Sequence, residues 1–228
     1  MINVRMENLV KIYRNGKISV KALDNINLEI EKGEFLVFAG PSGSGKTTLL
    51  NIIGTMDRLT EGKLLIDGED ISGLTKDEAS EFRKEKVGFI FQSFNLIPVL
   101  TAYENIEFSL DLMKKFGAKE KREKVESIMK EMGILELKNR RPAEMSGGQQ
   151  QRVAVARALV KEPLLVLADE PTANLDSKTG GSILDLMEEM NEKKKITFIF
   201  SSHDPKIIER GKRVIRLKDG KIDKGKAL

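Results

Sequence analysis

The sequence predicts an α/β fold, a mostly parallel sheet covered on both faces by helices, with an added antiparallel β part and a helical segment in the middle of the chain. Three observations carry this expectation. Short apolar runs, EFLVFAG, VGFIFQ, PLLVLADE and ITFIFSSHD, recur along the chain and read as strands buried on both faces. Helical patterns alternate with them, as crossover connections between parallel strands require. The first of these runs ends in a glycine-rich loop, GPSGSGKT, that opens a helix.

The elements follow in order. VRMENLVKIY and ALDNINLEI read as two early strands, and EFLVFAG as a buried strand ending at the glycine loop. A helix is expected from about Lys46 to Thr55. GKLLIDGEDI reads as a strand with a turn at Asp67 and Gly68, and VGFIFQ as another buried strand. From about Ser93 to Lys161 the pattern is mostly helical, in TAYENIEFSLDLMKK, KEKREKVESIMKEMGI and GQQQRVAVARALV. Strands then return in PLLVLADE and ITFIFSSHD, on either side of the amphipathic helix DSKTGGSILDLMEEMNEKK. The expectation is a single domain over 1–228. Its α/β core, with the antiparallel part, takes 1–92 and 162–228, and its helical subdomain takes 93–161. No internal repeat, low-complexity linker or coiled-coil insertion interrupts it.

Composition narrows the function. With 228 residues, 40% of them hydrophobic and 32% charged, the chain is long enough for a sizeable core and reads as globular. No cysteine is present, which excludes disulfides and cysteine-based metal sites, and a single histidine argues against a histidine zinc site. No apolar run reaches transmembrane length, and the N-terminal MINVRMENLVKIYRNG carries charges where a signal peptide needs an apolar stretch. The chain is therefore expected in the cytosol unless a partner holds it at a membrane. Its 39 basic and 35 acidic residues are mostly interleaved, giving a net charge of +4. The densest basic stretch, GKRVIRLKDGKIDKGK, reads as a solvated lysine-rich surface rather than a nucleic-acid or lipid surface.

The chemistry concentrates in a few places. Gly40, Pro41, Ser42, Gly43, Ser44, Gly45, Lys46 and Thr47 match G-x-x-x-x-G-K-[ST] between a strand and a helix, with Thr48 following. Glycines let the backbone wrap phosphates with its N–H groups pointing inward. Lys46 would reach the β- and γ-phosphates, and Thr47 would offer its hydroxyl to Mg²⁺. Asp169, at the end of LLVLAD, can hold Mg²⁺ through water, and Glu170 can orient or deprotonate an attacking water. His203 follows a buried strand, at the carboxyl end where open α/β sheets place ligands, so contact with a γ-phosphate is expected. Gln92 ends VGFIFQ, where an amide could touch Mg²⁺ or the water; alone it would be an ordinary strand-end amide. Tyr13, ending the first strand, could stack on an adenine ring or be a plain edge residue. A second anion cradle is suggested by AEMSGGQQQRVAVARAL, in which Ser146, Gly147 and Gly148 precede a good helix; a bare serine N-cap is the alternative.

Together these pieces resemble the nucleotide-binding subunits of ABC transporters, over nearly the whole chain and in matching order and spacing. The resembling motifs are the Walker A loop GPSGSGKT, the Q-loop glutamine Gln92 and the signature MSGGQ from Met145 to Gln149. Walker B with its glutamate in LLVLADE, the D-loop ANLD ending at Asp176 and the switch histidine His203 complete the set. Met145 departs from the usual leucine, a swap of similar volume, and Ala173 from a frequent serine. The resemblance implies a P-loop NTPase core of RecA-like type that binds ATP and Mg²⁺ and hydrolyses ATP, with Glu170, His203, Gln92 and Lys46 as the catalytic group. Thr47, Gln92 and Asp169 would face the metal. It implies a head-to-tail dimer, in which Ser146, Gly147, Gly148, Gln149 and Asp176 meet the nucleotide held by the second copy. It also implies an integral membrane permease as partner, a place on the cytoplasmic face of the membrane, and no nucleic acid. EKVGFIFQSFNLIPVLTAYENIEF and DEPTANLDS are similar to the lipoprotein-releasing and macrolide-exporting branch. The cell-division branch and soluble non-transport ATPases are the alternatives.

Overall fold

The computed structural model describes residues 1–16 and 18–223. In chain order the first half holds β1 (Ile2–Asn15), β2 (Ile18–Glu31), β3 (Phe35–Ala39), α1 (Lys46–Ile53), β4 (Glu61–Ile66), β5 (Glu69–Asp70), α2 (Lys76–Lys86) and β6 (Val87–Phe91). The helices α3 (Ala102–Met113), α4 (Ala118–Glu131) and α5 (Gly147–Leu159) follow. The chain continues through β7 (Leu165–Asp169), α6 (Ser177–Lys194), β8 (Thr197–Ser202), α7 (Pro205–Arg210), β9 (Arg213–Lys218) and β10 (Lys221–Ile222).

Two sheets form. The smaller is antiparallel with order β2-β1-β4-β5, and the larger runs β10-β9-β3-β8-β7-β6. Within the larger sheet β9, β3, β8, β7 and β6 are parallel, and only β10 turns back on β9. The parallel strands are apolar on both faces because both faces are covered. Phe35, Val37, Ile90, Val166, Ala168, Phe198 and Phe200 pack with α3 to α6 on one side. Leu36, Phe38, Val87, Leu165, Leu167 and Ile199 pack with α1 and the antiparallel sheet on the other.

The structure differs from the sequence expectation in three places. α2 was not anticipated, because KDEASEFRKEK buries only Ala79 and Phe82; it is set by a capping box between Thr75 and Glu78. The basic stretch near the C-terminus is not merely solvated surface: it supplies β9, which pairs along β3 and buries Leu217. Residues 224–226 of that stretch lie outside the described residues. β1 runs on to Asn15, so Tyr13 sits inside the strand rather than at its end.

Candidate active site

Strand order assembles the site. β8 lies between β3 and β7, with β6 beyond β7, so the carboxyl ends of four neighbouring strands share one edge. The loop after β3 carries Lys46 and Thr47, β7 ends at Asp169, and His203 follows β8. Gln92 follows β6. Open α/β sheets bind ligands at this edge. A cavity of about 610 Å³ opens there, lined by Ser42, Gly43, Gly45, Lys46, Thr47, Thr48, Gln92, Glu170, Ser201 and His203. Residues from both sheets complete it: Val20, Lys21 and Ala22 from β2, and Asp219 and Gly220 from the turn after β9. The sequence reading missed these five; the Asp-Gly turn was the available signal.

The phosphate loop is shaped by its own lysine. Lys46 is buried, and its Nζ donates to the carbonyls of Gly40 at 2.7 Å and Pro41 at 2.9 Å. Gly40 sits at φ 155, where an added Cβ would lie 2.2 Å from the Leu217 carbonyl oxygen, so β9 presses directly on the loop. The Gly220 N–H donates to the Ser44 carbonyl at 3.1 Å, tying the same turn to the loop. Ser44 and Ser201 each bury a hydroxyl that has no partner.

The acidic side of the cavity is also organised. The Thr47 hydroxyl lies 3.2 Å from both carboxylate oxygens of Asp169, so the loop and the end of β7 meet directly. Glu170 stands at φ 45, a left-handed conformation unusual for a non-glycine residue, and its N–H donates to the Ser201 carbonyl at 2.9 Å. This turn swings its carboxylate toward β8. Ser202 Oγ donates to Glu170 Oε2 at 2.8 Å, and the His203 N–H donates to Oε1 at 3.2 Å. His203 Nδ1 lies 2.6 Å from Oε1, so the ring and the carboxylate share a hydrogen bond.

Gln92 exchanges hydrogen bonds with Asn174. Its Nε2 lies 3.4 Å from Asn174 Oδ1, and Asn174 Nδ2 donates to the Gln92 carbonyl at 3.0 Å. Arg157, on α5, donates to the carbonyls of Phe94 at 2.8 Å and Asn95 at 2.5 Å, fixing the chain just after Gln92. Sequence reasoning singled out neither Asn174 nor Arg157.

Gly40, Pro41, Ser44 and Asp169 adjoin the cavity residues without lining the cavity, and the remaining expected residues, from Ser146 to Gln149 with Asp176 and Tyr13, also lie outside the lining. Ser146 N-caps α5 in a capping box with Gln149: Ser146 Oγ accepts from the Gln149 N–H at 3.3 Å, and Gln149 Oε1 from the Ser146 N–H at 2.9 Å. Asp176 N-caps α6, accepting from the N–H groups of Lys178 and Thr179, both at 3.0 Å. The Thr179 side chain and N–H hold its carboxyl below the ordinary range. Tyr13 is 43% exposed, with its hydroxyl 2.7 Å from Asp57 Oδ2 and Lys11 Nζ over its ring at 4.7 Å. Burial and the Asp57 bond push the phenol pKa up.

The comparisons with known proteins agree with this geometry. The sequence pattern described as ABC transporter matches residues 23–173. An ABC transporter ATP-binding protein of Methanocaldococcus jannaschii, MJ0796, is 44% identical over 99% of this chain and 97% of its own length. The macrolide export ATP-binding/permease protein MacB of Syntrophobacter fumaroxidans is 41% identical over 96% of this chain, which spans only 31% of that relative. The dimeric, post-hydrolysis structure of the cassette MJ0796 bound to ADP and Pi superposes with a TM-score of 0.88, covering 97% of each chain at 44% identity. The chain therefore belongs to the ABC transporter family, as one of its ATP-binding, ATP-hydrolysing subunits.

Proposed function

We propose that two copies of this chain close head to tail around two ATP molecules and drive an integral membrane permease of the lipoprotein-releasing or macrolide-exporting type. The observation that carries this reading is the separation of two glycine-containing helix starts, those of α1 and α5. One cavity gathers the loop at Lys46 with Glu170 and His203, while the Ser146 cradle at the start of α5 is not part of that cavity's lining. In a two-fold dimer each copy completes the other's site, so each chain must carry both halves. The dimeric MJ0796 structure with ADP and Pi supports the arrangement, and the MacB match supports the branch.

In this reading Lys46 faces the β- and γ-phosphates, and Tyr13 stacks on the base with the ring face that Lys11 leaves open. The hydroxyl of Thr47, the carboxylate of Asp169 and the amide of Gln92 are hard oxygen donors that suit Mg²⁺, which keeps few protein ligands and takes phosphate oxygens for the rest. Bound there, Mg²⁺ would neutralise charge on the β- and γ-phosphates. Glu170 orients the attacking water, His203 contacts the γ-phosphate, and Asp176 and the cradle at Ser146, Gly147, Gly148 and Gln149 meet the nucleotide of the second copy. The helical part over 93–161 passes motion to the permease, through the Arg157 clamp on the chain after Gln92.

No helix among the described residues is long and apolar enough to cross a membrane. We place the chain at the cytoplasmic face, held by its permease. Purification of the tagged chain from native membranes tests this. An integral membrane protein should co-purify and raise ATP turnover, and DNA should neither co-purify nor stimulate. Recovery with DNA and without a membrane protein would contradict the reading.

A further inference from the structure

Glu170 is gripped at both oxygens, by side chains of unequal burial. The Ser202 hydroxyl donates to Oε2 at 2.8 Å and accepts from the Asp204 N–H at 3.0 Å, which fixes the direction of its proton. Ser202 ends the central strand β8 and is fully buried. Oε1 is held by the N–H and ring of His203, whose side chain is 71% exposed. A carboxylate offers about four acceptor positions. Ser202 and His203 fill three of them, which leaves one for a water.

We infer that Ser202 is a positioning residue for Glu170, its hydroxyl holding Oε2 so that the carboxylate keeps one orientation toward the attacking water. The inference rests on the reading of Glu170 as the group that activates that water. In the step it serves, a water O–H bond breaks and its proton passes to Glu170. The water oxygen bonds to the γ-phosphorus as the bond from that phosphorus to the β–γ bridging oxygen breaks, and ADP leaves. Ser202 touches none of the reacting atoms. Its contribution is alignment, to which reaction rates are steeply sensitive.

Steady-state kinetics of Ser202→Ala, alone and combined with Glu170→Gln, test the inference. Ser202→Ala should lower kcat about tenfold, the scale of one hydrogen bond to a charged group, and leave KM for ATP unchanged. Ser202→Cys keeps the bulk in the strand with a weaker donor and should fall between Ser202→Ala and wild type; it carries the test if the alanine variant does not fold. In the Glu170→Gln background, either substitution should cause no further loss, because Ser202 acts only through the carboxylate. Wild-type kcat in the Ser202 variants, or the same fold-loss in the Glu170→Gln background, would overturn the inference. Full turnover of Glu170→Gln alone would instead overturn the role of Glu170 on which it rests.

Discussion

The Lys46 ammonium has three protons to donate, and two are committed to the carbonyls of Gly40 and Pro41. The third is left for a phosphate. Lys46→Ala therefore removes a cation and also loosens the loop that aims the backbone N–H groups. ATP affinity should fall about tenfold to a hundredfold, the worth of one charge-assisted hydrogen bond, and turnover should be lost. Titration with a fluorescent ATP analogue checks this; unchanged affinity would contradict the assignment. Lys46, Thr47, Asp169, Glu170 and His203 were legible in the sequence because phosphate and metal chemistry demands those residue types at strand ends. Ser202 and Asn174 were not. A serine at a strand end has no spacing that marks it, and Asn174, inside the ANLD motif, shows its bond to Gln92 only once the fold brings the two loops together.

Among the elements, the start of α5 is tightly fitted against α6. Gly148 lies in its first turn, and an added Cβ would come within 2.3 Å of Thr179 Cγ2 on α6. Elsewhere a glycine-to-alanine change inside a helix gains roughly 1 kcal/mol. Here the overlap reverses the sign, at a cost of about 1–3 kcal/mol for overpacking. Gly148→Ala should lower Tm by a few degrees, at roughly 2–4 °C per kcal/mol for a chain of this size. Adding Thr179→Ser, which deletes the obstructing methyl and keeps the hydroxyl, should restore it. Thermal melts of the two variants decide the point, and no recovery in the double variant would place the strain elsewhere. At this scale the apolar strands β3, β6, β7 and β8 were readable because burial on both faces leaves an uninterrupted apolar run. α2 and β9 were not, because each fully buries few side chains: Ala79 and Phe82 in an otherwise charged helix, and Leu217 in a strand whose apolar residues are interspersed with basic ones.

At the scale of the whole molecule, the proposed reading has a second copy supply what one chain's cavity lacks, since the start of α5 lies outside its lining. On that reading each ATP bridges the Lys46 loop of one copy and the Ser146 cradle of the other, and hydrolysis releases the bridge. Glu170→Gln keeps the size and reach of the side chain while removing its charge and basicity, so water attack should slow by about 10²-fold or more. Binding is spared, because the loop, Thr47 and Asp169 are intact. Loss of a carboxylate beside the triphosphate also relieves repulsion across the closed interface. Bound ATP should then favour the dimer by mass action. Size-exclusion chromatography of Glu170→Gln with Mg²⁺ and ATP, with ADP as control, reads this directly. The account predicts a shift from monomer to dimer with ATP only, abolished when Ser146→Arg is added. A Glu170→Gln variant that binds ATP yet remains monomeric, or that dimerises equally well with Ser146→Arg present, would contradict the shared site.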